Sequence, residues 1–86
     1  MATYTKAPPA LNKDDNYPKW KKKLGIWQQL TSFEKTKQGP ALVMSLDDES
    51  QEAVLELSQE VISAEGGVAS IIEVLDELYL NFKGQN

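Results

Sequence analysis

GVASIIEVLDELYLNF, residues 67–82, places Val68, Ile71, Ile72, Leu75, Leu78, Tyr79 and Phe82 at i, i+3, i+4, i+7 spacing. Ser70, Glu73, Asp76 and Glu77 fall between them, on the opposite side of a helical wheel. The spacing predicts an amphipathic helix over residues 67–82 whose apolar stripe must be covered by other elements. Gly66-Gly67 ahead of it reads as an inter-helix turn.

Upstream of the turn, Asp47-Asp48-Glu49-Ser50 supplies the acids and the cap of another helix. Its Ala53, Val54 and Leu57 share one face, and Gln51, Glu52 and Glu56 the other. Residues 58–66 have no periodicity that assigns them. Earlier still, Gly39-Pro40 followed by Ala41, Leu42, Val43, Met44 and Leu46 is a dense apolar run. It predicts a helix over about residues 38–46, with Pro40 in its first turn, and it should be the central, most buried element. A buried strand is the competing reading, but no second strand candidate exists to pair with it. Thr31-Ser32-Phe33-Glu34 has capping-box spacing and opens a short turn through Lys37.

The first helix is expected at 16–30, with Asn16 or Asp15 as N-cap and Pro18 in the first turn. Trp20, Leu24, Trp27 and Leu30 mark its apolar face, with the lysines largely elsewhere. Gly25 weakens this helix by about 1 kcal/mol relative to Ala, a cost that close approach of a neighbouring helix would explain. Residues 1–13, with Pro8-Pro9 and no helical period, read as a flexible, extended N-terminal arm. The expectation is therefore an all-α fold: a compact bundle of four to five short helices over residues 14–83, with a flexible tail at 84–86. Trp20, Leu24, Trp27, Leu42, Met44, Leu46, Val54, Leu57, Ile71, Leu75, Leu78 and Tyr79 should build its core.

A chain of 86 residues holds one core, and 41% hydrophobic with 26% charged residues is an ordinary globular composition. Absence of Cys removes disulfides, thiolate catalysis and Cys-type zinc sites. Absence of His removes the commonest general base and the commonest transition-metal ligand. No catalytic, cofactor-binding or metal-binding residue is assigned, and the chain is not expected to be an enzyme. The acids Asp47, Asp48, Glu49, Glu52 and Glu56 lack the alternating ligands and central Gly of a calcium loop, and compensate helix dipoles instead. Lys37-Gln38-Gly39-Pro40 is no phosphate-binding loop, because the glycine pattern and preceding strand are missing.

No apolar run approaches the roughly 20 residues of a membrane span. The N-terminus has no apolar signal region, and Ala2 stands where myristoylation needs Gly. A cytoplasmic protein without a membrane partner is expected.

Charge is segregated within a net −4: residues 1–43 hold eight Lys against three acids, residues 44–86 one Lys against ten. Solvated helix faces of differing sign explain this most simply. The same asymmetry can orient head-to-tail contacts between identical copies. The candidate interaction surface is then Lys19, Lys21, Lys22 and Lys23 on the basic side, with Glu52, Glu56, Glu73, Asp76 and Glu77 on the acidic side. A nucleic-acid patch at Lys19–Lys23 is disfavoured, because the chain is acidic, has no Arg and carries its Trp residues at core spacing.

Asn16-Tyr17-Pro18-Lys19-Trp20, followed by Leu24 and Trp27, resembles the opening of the helical capsid region in the Gag proteins of LTR retrotransposons. Gln38 to Leu46 leading to Ala53-Val54, and Gly67-Val68 leading to Leu75, Leu78 and Tyr79, are similar to later helices of that region. The resemblance covers about residues 11–82 and rests on hydrophobic spacing. It implies a non-enzymatic structural domain that self-associates into homo-oligomers, up to a capsid-like shell around RNA. No zinc knuckle is present, and the family's second capsid domain is missing from these 86 residues. The alternative is a helical adaptor module that accepts a partner's helix or peptide.

Overall fold

The computed structural model describes residues 4–11 and 16–81, with the side chains of Leu80 and Asn81 excepted. The chain is all-α: α1 (Tyr17–Leu30), α2 (Lys35–Val43), α3 (Asp48–Val54), α4 (Gln59–Ile62) and α5 (Gly67–Asp76), the last continuing as a π-helical turn, Glu77–Asn81. Expectations for Asp15, Phe82, the arm's residues 1–3 and 12–13 and the tail at 84–86 lie outside the described residues.

Helix α1 begins where Asn16 Oδ1 accepts the Lys19 N–H at 3.1 Å, with Pro18 in the first turn. Its apolar face, Tyr17, Trp20, Leu24 and Trp27, is buried. Leu30, assigned to that face from sequence, is instead 54% exposed on the outer arc. The expected capping box is not formed. Thr31 closes α1, giving its N–H to Trp27 O, and its Oγ1 accepts from the Phe33 N–H.

Helix α2 starts at Lys35, three residues before the expected boundary, so Pro40 sits inside the helix rather than in its first turn. The missing Pro40 N–H leaves the Thr36 carbonyl without its usual partner, which is tolerated because Thr36 faces water. Buried Gln38 anchors the early turn: its Nε2 donates to Phe33 O at 3.1 Å and its Oε1 accepts from Gln28 Nε2 at 3.2 Å. The helix ends at Val43, and Met44, expected in the core, points outward at 79% exposure.

Helices α3 and α4 carry side-chain caps. Asp47 Oδ1 accepts from Ser50 N at 3.0 Å, and Ser58 Oγ accepts from Val61 N at 3.2 Å. The second cap explains α4 within a stretch that has no hydrophobic period: one turn needs a cap and a single buried anchor, Ile62.

The central element is α5, not the apolar run at Leu42. It packs against α2, α3 and α4, and Ile71 and Leu75 are fully buried beside Leu42, Val54 and Leu11. Leu46 belongs to the same core, with Leu57 and Tyr79 packed at its edge and Leu78 half-buried.

Two glycines allow the close approach of α2, α4 and α5. A β-carbon at Gly39 or at Gly67 would drive into the Ile62 carbonyl oxygen. Gly25, the position expected to serve this purpose, has open space around it. Gly25→Ala is therefore expected to stabilise the fold by about 0.5–1 kcal/mol, read as a rise of a few degrees in the thermal midpoint.

Residues 4–11, expected as a free arm, lie extended against α1 as a strap. Pro9 O accepts the Trp20 indole N–H and Lys6 O accepts the Trp27 indole N–H, both at 2.9 Å. Tyr4 O accepts from Ser32 N at 2.8 Å. At the other end Leu11, fully buried, forms an isolated parallel bridge to Leu46 through Leu11 N to Ser45 O (3.1 Å) and Asp47 N to Leu11 O (3.0 Å).

Candidate interaction surface

The lysines of α1 divide into two groups by their angle around the helix. At 100° per residue, Lys21 lies beside the buried Tyr17, whereas Lys19 and Lys22 lie on the far arc with Ile26 and Leu30, and Lys23 sits at the edge of that arc next to buried Trp27. Lys19, Lys22 and Lys23 are exposed, and Ile26 and Leu30 are 57% and 54% exposed. The outer arc of α1 is thus basic in its first half and apolar in its second.

Lys21 is paired within the molecule, at its partly exposed surface. Its Nζ donates to Asp76 Oδ1 at 3.0 Å, and the Tyr17 hydroxyl donates to the same oxygen at 2.6 Å. Among the described residues this is the only ion pair. Tyr17 in turn stacks on Tyr79 at 4.7 Å, and the Tyr79 hydroxyl pairs with that of buried Ser50 at 2.8 Å. The chain of contacts ties α1 to the C-terminal turn and to the start of α3. Lys21 and Asp76, grouped from sequence with the outward-facing charges, are therefore spent on a contact between α1 and α5 within the molecule.

Tyr17 and Asp76 titrate away from their ordinary ranges. Burial pushes the Tyr17 phenol upward most, and its bond to Asp76 and the negative charge there push it further. The hydrogen bond from Tyr17 lowers the Asp76 carboxyl most, burial opposes this, and the bond and charge of Lys21 add to the lowering. A carboxyl lowered on folding stabilises above its unfolded value, and that stability is lost as pH falls through the folded value. A phenol raised on folding stabilises below its unfolded value, and that stability is lost as pH rises. Stability is expected to fall below about pH 4 and above about pH 10, and Tyr17→Phe should remove the alkaline limb owed to this phenol. Urea midpoints across pH check both limbs.

The acidic residues divide in the same way. Glu56, Glu73 and Glu77 line a groove of about 440 Å³ with Ala53, Leu57, Ser70 and Val74, between the end of α3 and the outer flank of α5. Glu52 is exposed on α3 outside the groove. Asp76 lies on another arc of α5, facing α1. A second, smaller hollow of about 200 Å³ separates the strap from Lys23, Ile26 and Leu30.

The surface expected from sequence holds only charges: Ile26 and Val74 are not assigned to it, and Leu30 and Leu57 are expected on buried faces. The i, i+4 spacing of Ile26 and Leu30 beyond Lys19, Lys22 and Lys23 was a legible signal for the α1 surface. No comparable signal joins Tyr17 to Asp76, 59 residues apart.

Among the described residues no group of three or more His, Cys, Asp or Glu is placed to hold a metal ion, and no helix is long and apolar enough to cross a membrane. Comparison with protein-family models, with curated proteins and with solved structures finds no match for the chain.

Proposed function

We propose that the chain is a non-enzymatic structural domain, Gag/capsid-like in its helix order, that acts in the cytoplasm by associating with further copies of itself. One observation carries the reading: the same small bundle presents a basic–apolar helix arc at Lys19–Leu30 and an acidic–apolar groove at Glu56–Glu77. Complementary surfaces on one chain favour head-to-tail contact, which closes into rings or shells when the rotation between copies closes.

Light scattering over increasing concentration tests the proposal. Mean mass is expected to rise toward millimolar protein at low salt and to fall again as salt screens the charges. A strict monomer at millimolar concentration and low salt would sink it. Capture of a heterologous helix by such a monomer would put the adaptor reading in its place.

A further inference from the structure

We infer that the outer arc of α1 on one copy seats in the groove between α3 and α5 of the next. This contact rests on the proposed self-association and specifies its interface. Three observations converge on a second copy as the occupant.

The charges complement. Lys19, Lys22 and Lys23 have no ion-pair partner among the described residues, and Glu56, Glu73 and Glu77 rim the groove. Their spacing also matches: Lys19 and Lys23 stand one helical turn apart, as do Glu73 and Glu77, so both pairs present charges about 5–6 Å apart at the β-carbons. The apolar parts adjoin the charges on both sides, Ile26 and Leu30 beyond the lysines and Leu57 with Val74 inside the groove.

The contact has to form between copies. Helix α1 meets its own α5 through Lys21 and Asp76, on a different arc from the groove, while its outer arc is exposed and borders the strap along Lys23, Ile26 and Leu30. Such a heterologous contact leaves one free arc and one free groove at the ends of any open chain of copies.

A charge-swap experiment tests the interface on the full chain. K22E/K23E and E73K/E77K should each remain folded by circular dichroism and each lose self-association by about tenfold or more, because like charges then face each other. Mixed in equal amounts, the two variants should recover association, because acidic arc then meets basic groove and basic arc meets acidic groove. Since the chain has no cysteine, a mixture of I26C and V74C chains should also give a mixed disulfide dimer under oxidation.

Wild-type association with folded swap variants that still associate overturns this interface and leaves the proposed function standing. Failure of the mixture to recover, with both variants folded and each alone monomeric, also overturns it. A monomeric wild type overturns both, including the case in which the lysine arc retards single-stranded RNA with steep salt dependence.

Discussion

Gly39→Ala should remove about 3 kcal/mol or more of stability, a large share of what holds the fold. The Ile62 carbonyl at the end of α4 lies between the backbones of Gly39 on α2 and Gly67 on α5, and a methyl group at either glycine occupies the space of that oxygen. Overpacking ordinarily costs about 1–3 kcal/mol, when side chains can turn away. Here the obstruction is backbone: the added carbon at Gly39 also meets the Ile62 carbonyl carbon at 3.2 Å, so α2 and α4 must separate. A cost of about 3 kcal/mol or more follows, against a total of about 4–13 kcal/mol for 86 residues. The urea midpoint should drop by about 2 M. Gly67→Ala should behave alike, because its added carbon would lie 2.9 Å from the same carbonyl carbon. The double variant should lose less than the sum, since one displacement of Ile62 relieves both clashes. An unchanged midpoint in Gly39→Ala would refute the three-helix contact, and Gly25→Ala serves as the control in which the same change stabilises.

Loss of the strap is the second large effect. Leu11→Ala removes a fully buried side chain beside Leu46 and should cost about 3 kcal/mol. Truncation of residues 1–11 should cost more, because it also strips the indole N–H groups of Trp20 and Trp27 of their carbonyl partners and opens both rings to water. Each Trp is now 3% exposed, so its lost burial and lost hydrogen bond together amount to roughly 2–4 kcal/mol. Tryptophan emission should shift to the red with the truncation and remain blue in wild type. Emission and urea midpoint both unmoved by truncation would mean that the strap contributes nothing to the fold. The strap also walls the hollow beside Ile26 and Leu30, so the same truncation should weaken self-association.

How far these features were legible depends on the range of the interaction that creates them. Helix α5 and the buried face of α1 were readable, because periodic apolar residues on one helix advertise a buried face without reference to its partner. The start of α3 was readable through Asp47, because a cap acts over three residues. The beginning of α2 was not. Lys35-Thr36-Lys37 has no apolar member, and the helix is held there by Gln38 reaching Phe33 and Gln28. The candidate surfaces were half legible: their charges follow from composition, but which lysine and which carboxylate are consumed internally depended on where α1 met α5.

By itself the sequence determined an all-helical chain, the inward face of α1 and α5, the segregation of charge and the lack of His and Cys. These properties are set by each residue's neighbours within a turn or two, or by simple count. Only the tertiary structure decided that α5 is the centre, that the arm is a strap, that Gly39 and Gly67 rather than Gly25 admit a neighbour, and that Lys21 and Asp76 pair within the molecule. Each of those joins groups far apart in the chain, and pattern within one helix carries no record of which distant group will fill a space or take a hydrogen bond.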